Sequence, residues 1–132
     1  MATMIKFRAW YMPFGKYGAM QEMVYSRASH ILALAETNPE KYIPEQFTGL
    51  TDSDGKDIYE GDILATSSMI YGENITDYLK VELREDYAGF YCGEKPLYAC
   101  LGEWDADIKF SQTYPKIVGN VHENPELLEE SK

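Results

Sequence analysis

The segment Phe47–Leu64 constrains the fold more than any other part of the chain, because glycine recurs at three points along it. Gly49, Gly55 and Gly61 each stand where a β chain can turn sharply, since glycine adopts positive φ without a steric penalty. Polar residues that can hydrogen-bond neighbouring backbone amides, such as Asp52, lie between these glycines. The segment therefore predicts a β corner, in which a strand, a tight turn, a bend and a second strand follow one another.

Most of the remaining chain also reads as short strands. Residues 78–85 alternate most regularly, with Leu79, Val81 and Leu83 on one face, and a period of two is typical of a half-buried strand. Eleven tyrosines raise the aromatic fraction to 14%, which also favours β structure. Further strands are predicted at residues 5–11, 20–25, 45–51, 58–64, 89–92, 97–104, 108–110 and 116–121, and residues 67–77 are predicted to form a loop.

Two segments have helical character instead. Residues 26–37 contain a compact apolar cluster, with Ser26 or Ser29 as the N-cap, and Pro39 stops the helix near residue 37. Residues 124–130 combine Asn, Pro and Glu in an order that suits one or two helical turns capped by the Asn. We therefore expect a mainly β fold, either a small SH3-like barrel or a two-sheet sandwich with additional strands, forming a single domain over residues 1–132.

Composition indicates where such a chain resides. No run of about 18 apolar residues is present, and the N-terminus lacks the apolar stretch of a signal peptide, so a cytoplasmic protein is expected. Cys92 and Cys100 are too few for a disulfide scaffold. They could face each other across a hairpin, but thiols in a reducing cytoplasm are the favoured interpretation.

Three blocks of sequence together resemble the YopX-like family of phage and prophage proteins. They are IKFRAW at residues 5–10, FTGLTDSDGKDIYEGDIL at residues 47–64 and IVGNVHENPELL at residues 117–128. The resemblance implies a fold similar to SH3-type barrels with extra strands, encoded in a phage genome or an integrated prophage. The family has no established biochemical role, so the resemblance assigns no catalytic or binding residues. After Trp10 the chain continues as Tyr11-Met12-Pro13-Phe14 where the family usually has a polar, charged turn, so the first hairpin is the point of departure.

No motif indicates a metal or another cofactor. An EF-hand loop with Gly55 at its sixth position would need acidic ligands at residues 50 and 61, which are Leu and Gly. His30, Cys92, Cys100 and His122 lack the paired short spacing of a closed zinc site. The glycine-rich and serine motifs of phosphate binding and acyl transfer are absent as well. We therefore expect no enzyme, no catalytic residue, no metal site and no cofactor, and binding residues are left unassigned.

Charge is distributed unevenly. Residues 1–41 carry five basic and three acidic residues, a net of +2, whereas residues 42–132 carry seven basic and nineteen acidic residues, a net of −12. A strongly acidic surface repels phosphate backbones. The N-terminal part nevertheless interleaves basic with aromatic residues, a pattern that single-stranded nucleic acids bind. This strip consists of Lys6, Arg8, Lys16 and Arg27 with Phe7, Trp10, Tyr11, Phe14 and Tyr17. The favoured interpretation is that its aromatic residues are core and its basic residues form the solvated face of one hairpin.

These observations predict a non-enzymatic accessory or regulatory protein that acts by binding another protein of the host or the phage. The absence of catalytic motifs and the high tyrosine content favour this hypothesis, since Tyr and Trp are enriched at interfaces. The alternative is a nucleic-acid-associated protein that uses the N-terminal strip or presents its acidic part as a DNA mimic. Association with a membrane is not expected. Self-association is open, because small β domains have exposed edges.

Overall fold

The computed structural model describes residues 5–84, 89–93, 95–97 and 112–130. Nine strands and two helices lie within these ranges. The strands are β1 (Phe7–Tyr11), β2 (Glu22–Ser26), β3 (Tyr42–Thr51), β4 (Asp57–Tyr59), β5 (Asp62–Ile70), β6 (Glu73–Arg84), β7 (Gly89–Cys92), β8 (Lys95–Pro96) and β9 (Gln112–Asn120). The helices are α1 (Ala28–Thr37) and α2 (Glu126–Glu130). The prediction of a mainly β fold is confirmed, with a sheet curled into a half-barrel, one helix in the predicted region and a short helix near the C-terminus.

Strand pairing gives two sheets, with the orders β2-β1-β3-β4 and β8-β7-β6-β5-β9. Contacts divide the chain into two compact units, residues 1–49 and residues 50–132, and β3 runs across the division. The expectation of one domain over residues 1–132 stays a prediction.

In the first unit, β1 is an interior strand and is buried on both faces. It pairs antiparallel with β2 on one side and with β3 on the other. The alternation of residues 5–11 predicts one buried face, but Arg8, Ala9 and Trp10 are all buried. The expectation was wrong because a strand with neighbours on both sides needs no solvated face when other parts of the fold cover it.

The buried guanidinium of Arg8 lies beside a buried carboxylate. Arg8 and Glu45 are directly opposite each other across β1 and β3, and Arg8 Nε donates to Glu45 Oε1 over 2.8 Å. Their side chains are 4% and 5% exposed. Arg8 is therefore not part of a solvated basic face, and the favoured interpretation of the N-terminal strip was wrong for this residue.

Helix α1 follows β2 and packs mainly against β1. It ends at Thr37, as Pro39 predicts, but neither serine caps it. Arg27 occupies the N-cap position without a side-chain bond, and the hydroxyl of Ser26 lies 2.9 Å from Nδ1 of His30 instead. The cap prediction failed because the helix begins at Ala28, so Ser26 lies one residue before the N-cap and Ser29 lies within the first turn.

The second unit contains a long β5–β6 hairpin where a loop over residues 67–77 was expected. The register runs without interruption from Ile63↔Lys80 to Ile70↔Glu73. Tyr71 and Gly72 make the connection with φ of 52° and 82°. Two successive residues with positive φ are the mark of a type I′ turn, whose twist matches that of the flanking strands. The loop prediction was wrong because Tyr is not one of the residues that normally signal this turn.

The core of the second unit packs around β4, β5, β6 and β7. Its buried residues are Ile58, Leu64, Val81, Cys92 and Leu97. The pairing of β5 with β9 shifts register twice, and such bulges bend the bulged strand and strengthen its twist. The predicted strands at residues 78–85, 89–92 and 116–121 correspond to β6, β7 and β9. Of the strand predicted at residues 97–104, the structure describes only Leu97, which lies in none of the nine strands, and the strand predicted at residues 108–110 lies outside the described residues.

The Arg8–Glu45 pair generates a stability prediction. Replacing Glu45 with Ala removes the carboxylate that lies beside the buried guanidinium of Arg8, so we expect the free energy of unfolding to fall by about 3–5 kcal/mol. The double variant Arg8→Met/Glu45→Leu should recover most of that loss, because no uncompensated charge is then buried. Urea unfolding followed by circular dichroism measures both changes. An exposed ion pair contributes less than about 1 kcal/mol, so a loss of that size or smaller in the free energy of unfolding of Glu45→Ala would contradict this account.

Candidate functional site

The acidic turn after β3 is a folding element. The buried carboxylate of Asp52 accepts backbone N–H bonds from Asp54 and Lys56 at Oδ1, both over 2.9 Å, and from Ile117 of β9 at Oδ2 over 3.0 Å. Gly55 closes the turn at φ 83°, as the sequence predicts. A carboxylate whose oxygens are engaged by amides is directed to the backbone and not to a cation.

The same bonds determine how Asp52 titrates. Burial alone would raise the pKa of this carboxyl, but the backbone N–H groups of Ile117, Lys56 and Asp54, followed by the charge of Lys56, lower the pKa below its usual value. The ionised form is therefore the one that the fold stabilises.

The second half of the corner repeats this use of a buried aspartate. Asp62 Oδ2 accepts the backbone N–H of Tyr59, the last residue of β4, over 2.8 Å. Gly61 lies between them at φ 91° and bonds through its own backbone to Val81 and Val121. Two aspartate side chains and backbone bonds to other strands therefore hold this corner, which supports a folding role for it.

The residues considered for zinc lie on different elements. His30 is in α1 of the first unit, Cys92 is a buried thiol in the core of the second unit, and His122 follows β9. Cys100 lies outside the described residues. Across the described ranges, no three or more His, Cys, Asp or Glu side chains are grouped so that they could hold a metal ion.

The structure also separates the members of the basic and aromatic strip. Arg8 and Trp10 are buried, Tyr11 stacks on Tyr42 with ring centroids 4.7 Å apart, and Lys6 lies over the ring of Phe47 at 4.8 Å. Phe7 is half-buried, and Arg27 is exposed at the start of α1. The strip is therefore not one continuous face.

Three remaining members of the strip, Phe14, Lys16 and Tyr17, lie together on the β1–β2 loop, defined here as Met12–Gln21. Phe14 is 69% exposed, Tyr17 is 93% exposed and Met20, at the end of the loop, is 76% exposed. Lys16 is exposed beside the ring of Tyr17, with Nζ 5.6 Å from its centroid. Scattered apolar residues are normal on protein surfaces, but several on one short loop are typical of interaction sites.

The side chain of Gln21 braces this loop. Its amide nitrogen lies within hydrogen-bonding distance of the carbonyl oxygens of Gly15, Lys16 and Gly18, at 3.4, 3.0 and 2.9 Å. Its amide oxygen accepts the indole N–H of Trp10 over 2.7 Å. Gln21 therefore connects the loop to the buried indole of Trp10 near the end of β1, so the exposed side chains project from a fixed backbone.

Pro13, Gly15 and Gly18 break the strand pattern and predict a turn or loop, but the bracing role of Gln21 was missed. One signal was available, because a buried indole N–H requires an acceptor and Gln21 begins the returning chain. The favoured interpretation placed the aromatic residues of the strip in the core, and it was wrong for Phe14 and Tyr17, which are exposed. The backbone of Met20 has φ 64°, a value uncommon for residues other than glycine, and the sequence carried no sign of it.

The first unit also contains an open groove. It has a volume of about 580 Å³ between α1 and the start of β3. Its lining consists of Leu32, Ala35, Glu36, Pro39, Tyr42, Ile43 and Pro44. The pKa of Tyr42 is raised, first by burial and then by the charge and hydrogen bond of Tyr11. The lining offers one carboxylate and one phenol, and no Ser, Cys, Lys or His with which either could form a nucleophile–base pair.

The fold has a counterpart among solved structures. The crystal structure of protein EF1440 from Enterococcus faecalis is similar, with a TM-score of 0.56 and 21% sequence identity over 96% of this chain and 99% of that chain. A likeness at this identity shows the fold alone. No curated protein matches the chain. Neither helix within the described ranges combines the length and apolar character needed to cross a membrane.

Residues 6–129 match the family described as YopX protein. Because this match spans nearly the whole chain, the protein belongs to the YopX family, and the resemblance carried by its three sequence blocks is confirmed.

Asp52 provides a prediction about pH. Replacing Asp52 with Asn should lower the free energy of unfolding at neutral pH by about 1–3 kcal/mol, because buried N–H groups lose their charged acceptor. Since folding lowers the pKa of Asp52, its stabilisation is fully present above the unfolded-state value near ~3.9 and is lost as pH falls through the folded value. The difference between wild type and variant should therefore shrink below about pH 4. Urea unfolding over a pH series tests this, with the exposed Asp54→Asn as control, and a constant difference would refute it.

Gln21 provides a prediction about the loop. Trypsin should cut after Lys16 faster in Gln21→Ala than in wild type, because the loop loses its brace. Gln21→Glu keeps an acceptor for Trp10 but loses both amide N–H donors. If those donors hold the loop, Gln21→Glu should be cut nearly as fast as Gln21→Ala. Timed digestion with mass spectrometry measures the rate. Equal rates in all three proteins would show that Gln21 does not brace the loop.

Proposed function

We propose that this protein is a phage- or prophage-encoded, non-enzymatic accessory protein that binds another protein through the β1–β2 loop. The observation that carries the proposal is the exposure of Phe14, Tyr17 and Met20 on a loop braced by Gln21. Membership of the YopX family supports the proposed origin in a phage or prophage genome, because the resemblance to that family implies such an origin.

Energetic considerations favour binding at this loop. Burial of one such side chain in an interface contributes about 1.5–3 kcal/mol, whereas immobilising it costs about 0.5–1.5 kcal/mol. Because hydrogen bonds from Gln21 already fix the loop backbone, little further ordering is required on association. Three exposed apolar residues on one fixed loop can therefore supply net affinity.

The chemistry of the partner follows from the composition of the loop. Lys16 is the only charged residue from Met12 to Gln21. An apolar pocket with an acidic residue at its rim would receive Phe14 and Tyr17 and pair with Lys16 at the boundary. Apolar centres with polar rims are typical of protein–protein interfaces.

Two further observations support binding over the other functions considered. The groove beside α1 lacks a nucleophile–base pair, so it suits contact more than chemistry. Burial of Arg8 in an ion pair leaves the N-terminal strip with fewer cations to engage a phosphate backbone. The protein-binding hypothesis therefore ranks above both an enzyme and a nucleic-acid-binding protein.

The test is a capture experiment with matched variants. Tagged wild-type chain, a Phe14→Ser/Tyr17→Ser variant and a Tyr71→Ser variant are incubated with extract from host cells during infection or prophage induction. Tyr71 is fully exposed at the β5–β6 turn, so its variant removes an equally accessible aromatic elsewhere. We expect wild type and Tyr71→Ser to retain the same protein and the loop variant to lose it.

The dissociation constants of the three chains then test the proposal. The captured protein is purified, and its dissociation constant is measured by calorimetry for all three chains after circular dichroism has shown that each is folded. Loss of the two rings should weaken binding at least tenfold, which corresponds to about 1.4 kcal/mol. Capture of nothing above background, or equal affinity of the three chains, would overturn the proposal.

A further inference from the structure

Among the described strands, each sheet ends in two edge strands, and three of these four edges carry features that prevent pairing with another strand. β4 has three residues, and β8 has two residues that include a proline. β9 contains Pro115 and Lys116, and its pairing is interrupted by register shifts. Short strands, proline, lysine and bulges are the devices by which proteins keep sheet edges from associating.

β2 is the exception among the edges that the structure describes. It consists of Glu22, Met23, Val24, Tyr25 and Ser26 and has no proline, lysine or glycine. Its five residues pair with β1 one to one, without a bulge. One side of this regular strand is bonded to β1, and the other side is the end of the sheet order. We propose that β2 pairs with β2 of a second copy of this chain, so that one antiparallel sheet runs through both.

Self-pairing is geometrically consistent. In an antiparallel pair, two opposed residues must both direct their backbone groups towards the partner or both away from it. A twofold axis through Val24 satisfies this condition, because Val24 then faces Val24, Met23 faces Tyr25 and Glu22 faces Ser26. All five residues overlap in this register. A shift of the axis to Met23 or Tyr25 leaves part of the strand without a partner.

The charges on β2 and on the first unit also permit a second copy to pair along this edge. Glu22 is the only charged residue of the strand, and the register sets it opposite a serine, so no like charges are directly opposed. Although the whole chain has a net charge of −10, residues 1–49 carry five basic and four acidic residues. Two copies therefore meet through units that are close to neutral. Closed twofold symmetry is also the commonest arrangement of soluble homo-oligomers.

The first measurement is the mass in solution. Light scattering after size exclusion should give twice the 15.1 kDa chain mass for wild type at concentrations where the dimer is populated. Val24→Lys would place two like charges opposite each other on the axis and should give a monomer. Val118→Lys makes the same change at an exposed position of β9 and should leave the dimer intact. A wild-type monomer at every concentration, or loss of the dimer in Val118→Lys alone, would overturn the proposal.

Disulfide trapping guards against the possibility that Val24→Lys merely unfolds the first unit. Opposed residues of an antiparallel pair have Cα atoms about 4.5–5.5 Å apart, within the range that a disulfide bridges. Glu22, by contrast, is displaced by about 13 Å along the strand from Glu22 of the second copy. In a Cys100→Ala background, Val24→Cys should oxidise to a covalent dimer and Glu22→Cys should remain monomeric on a non-reducing gel. Equal cross-linking of the two variants would refute the register, and absence of both cross-links would refute the pairing.

Discussion

The carboxylate of Asp52 connects parts of the chain that are 65 residues apart, and much of the second unit depends on this connection. Two of its bonds shape the turn between β3 and β4, and the third holds Ile117 in β9. Ser53 adds a backbone bond to Pro115 in the same strand. One buried anion therefore fixes both a local bend and the position of a strand near the C-terminus. This explains why an acidic segment that superficially suits a cation is used for folding.

The parts of the fold that could be predicted from the sequence are those determined by local geometry. The corner Phe47–Leu64 was predicted because glycine at a forced turn has a local cause, and the end of α1 because proline acts on its immediate neighbours. The hairpin turn at Tyr71-Gly72 was missed, since its flanking strands and not its residue types impose positive φ on tyrosine. Burial of Arg8 was missed because it depends on a carboxylate 37 residues later.

The candidate site likewise has one part that the sequence predicts and another that it does not. That residues 12–18 form a turn follows from Pro13, Gly15 and Gly18, but which side chains they expose does not. Exposure of Phe14 and Tyr17 is decided by where Gln21 anchors the loop, and this anchor depends on the indole of Trp10 being buried. A single sequence gives no direct signal for a side-chain amide that bonds three carbonyl oxygens. Prediction of the site therefore required the tertiary structure, although every residue involved is close in sequence.

The ion pair between Arg8 and Glu45 also affects how β1 and β3 align during folding. A slip of one residue would put Pro44 or Gln46 opposite Arg8 and would turn the Glu45 carboxylate to the other face of the sheet. Each slipped pairing would bury two separated charges, so it is strongly disfavoured against the native alignment. Apolar residues at these two positions would hold the strands together nearly as well but would distinguish less sharply between alignments. The pair therefore specifies the register of β1 and β3 in the sheet that carries the β1–β2 loop.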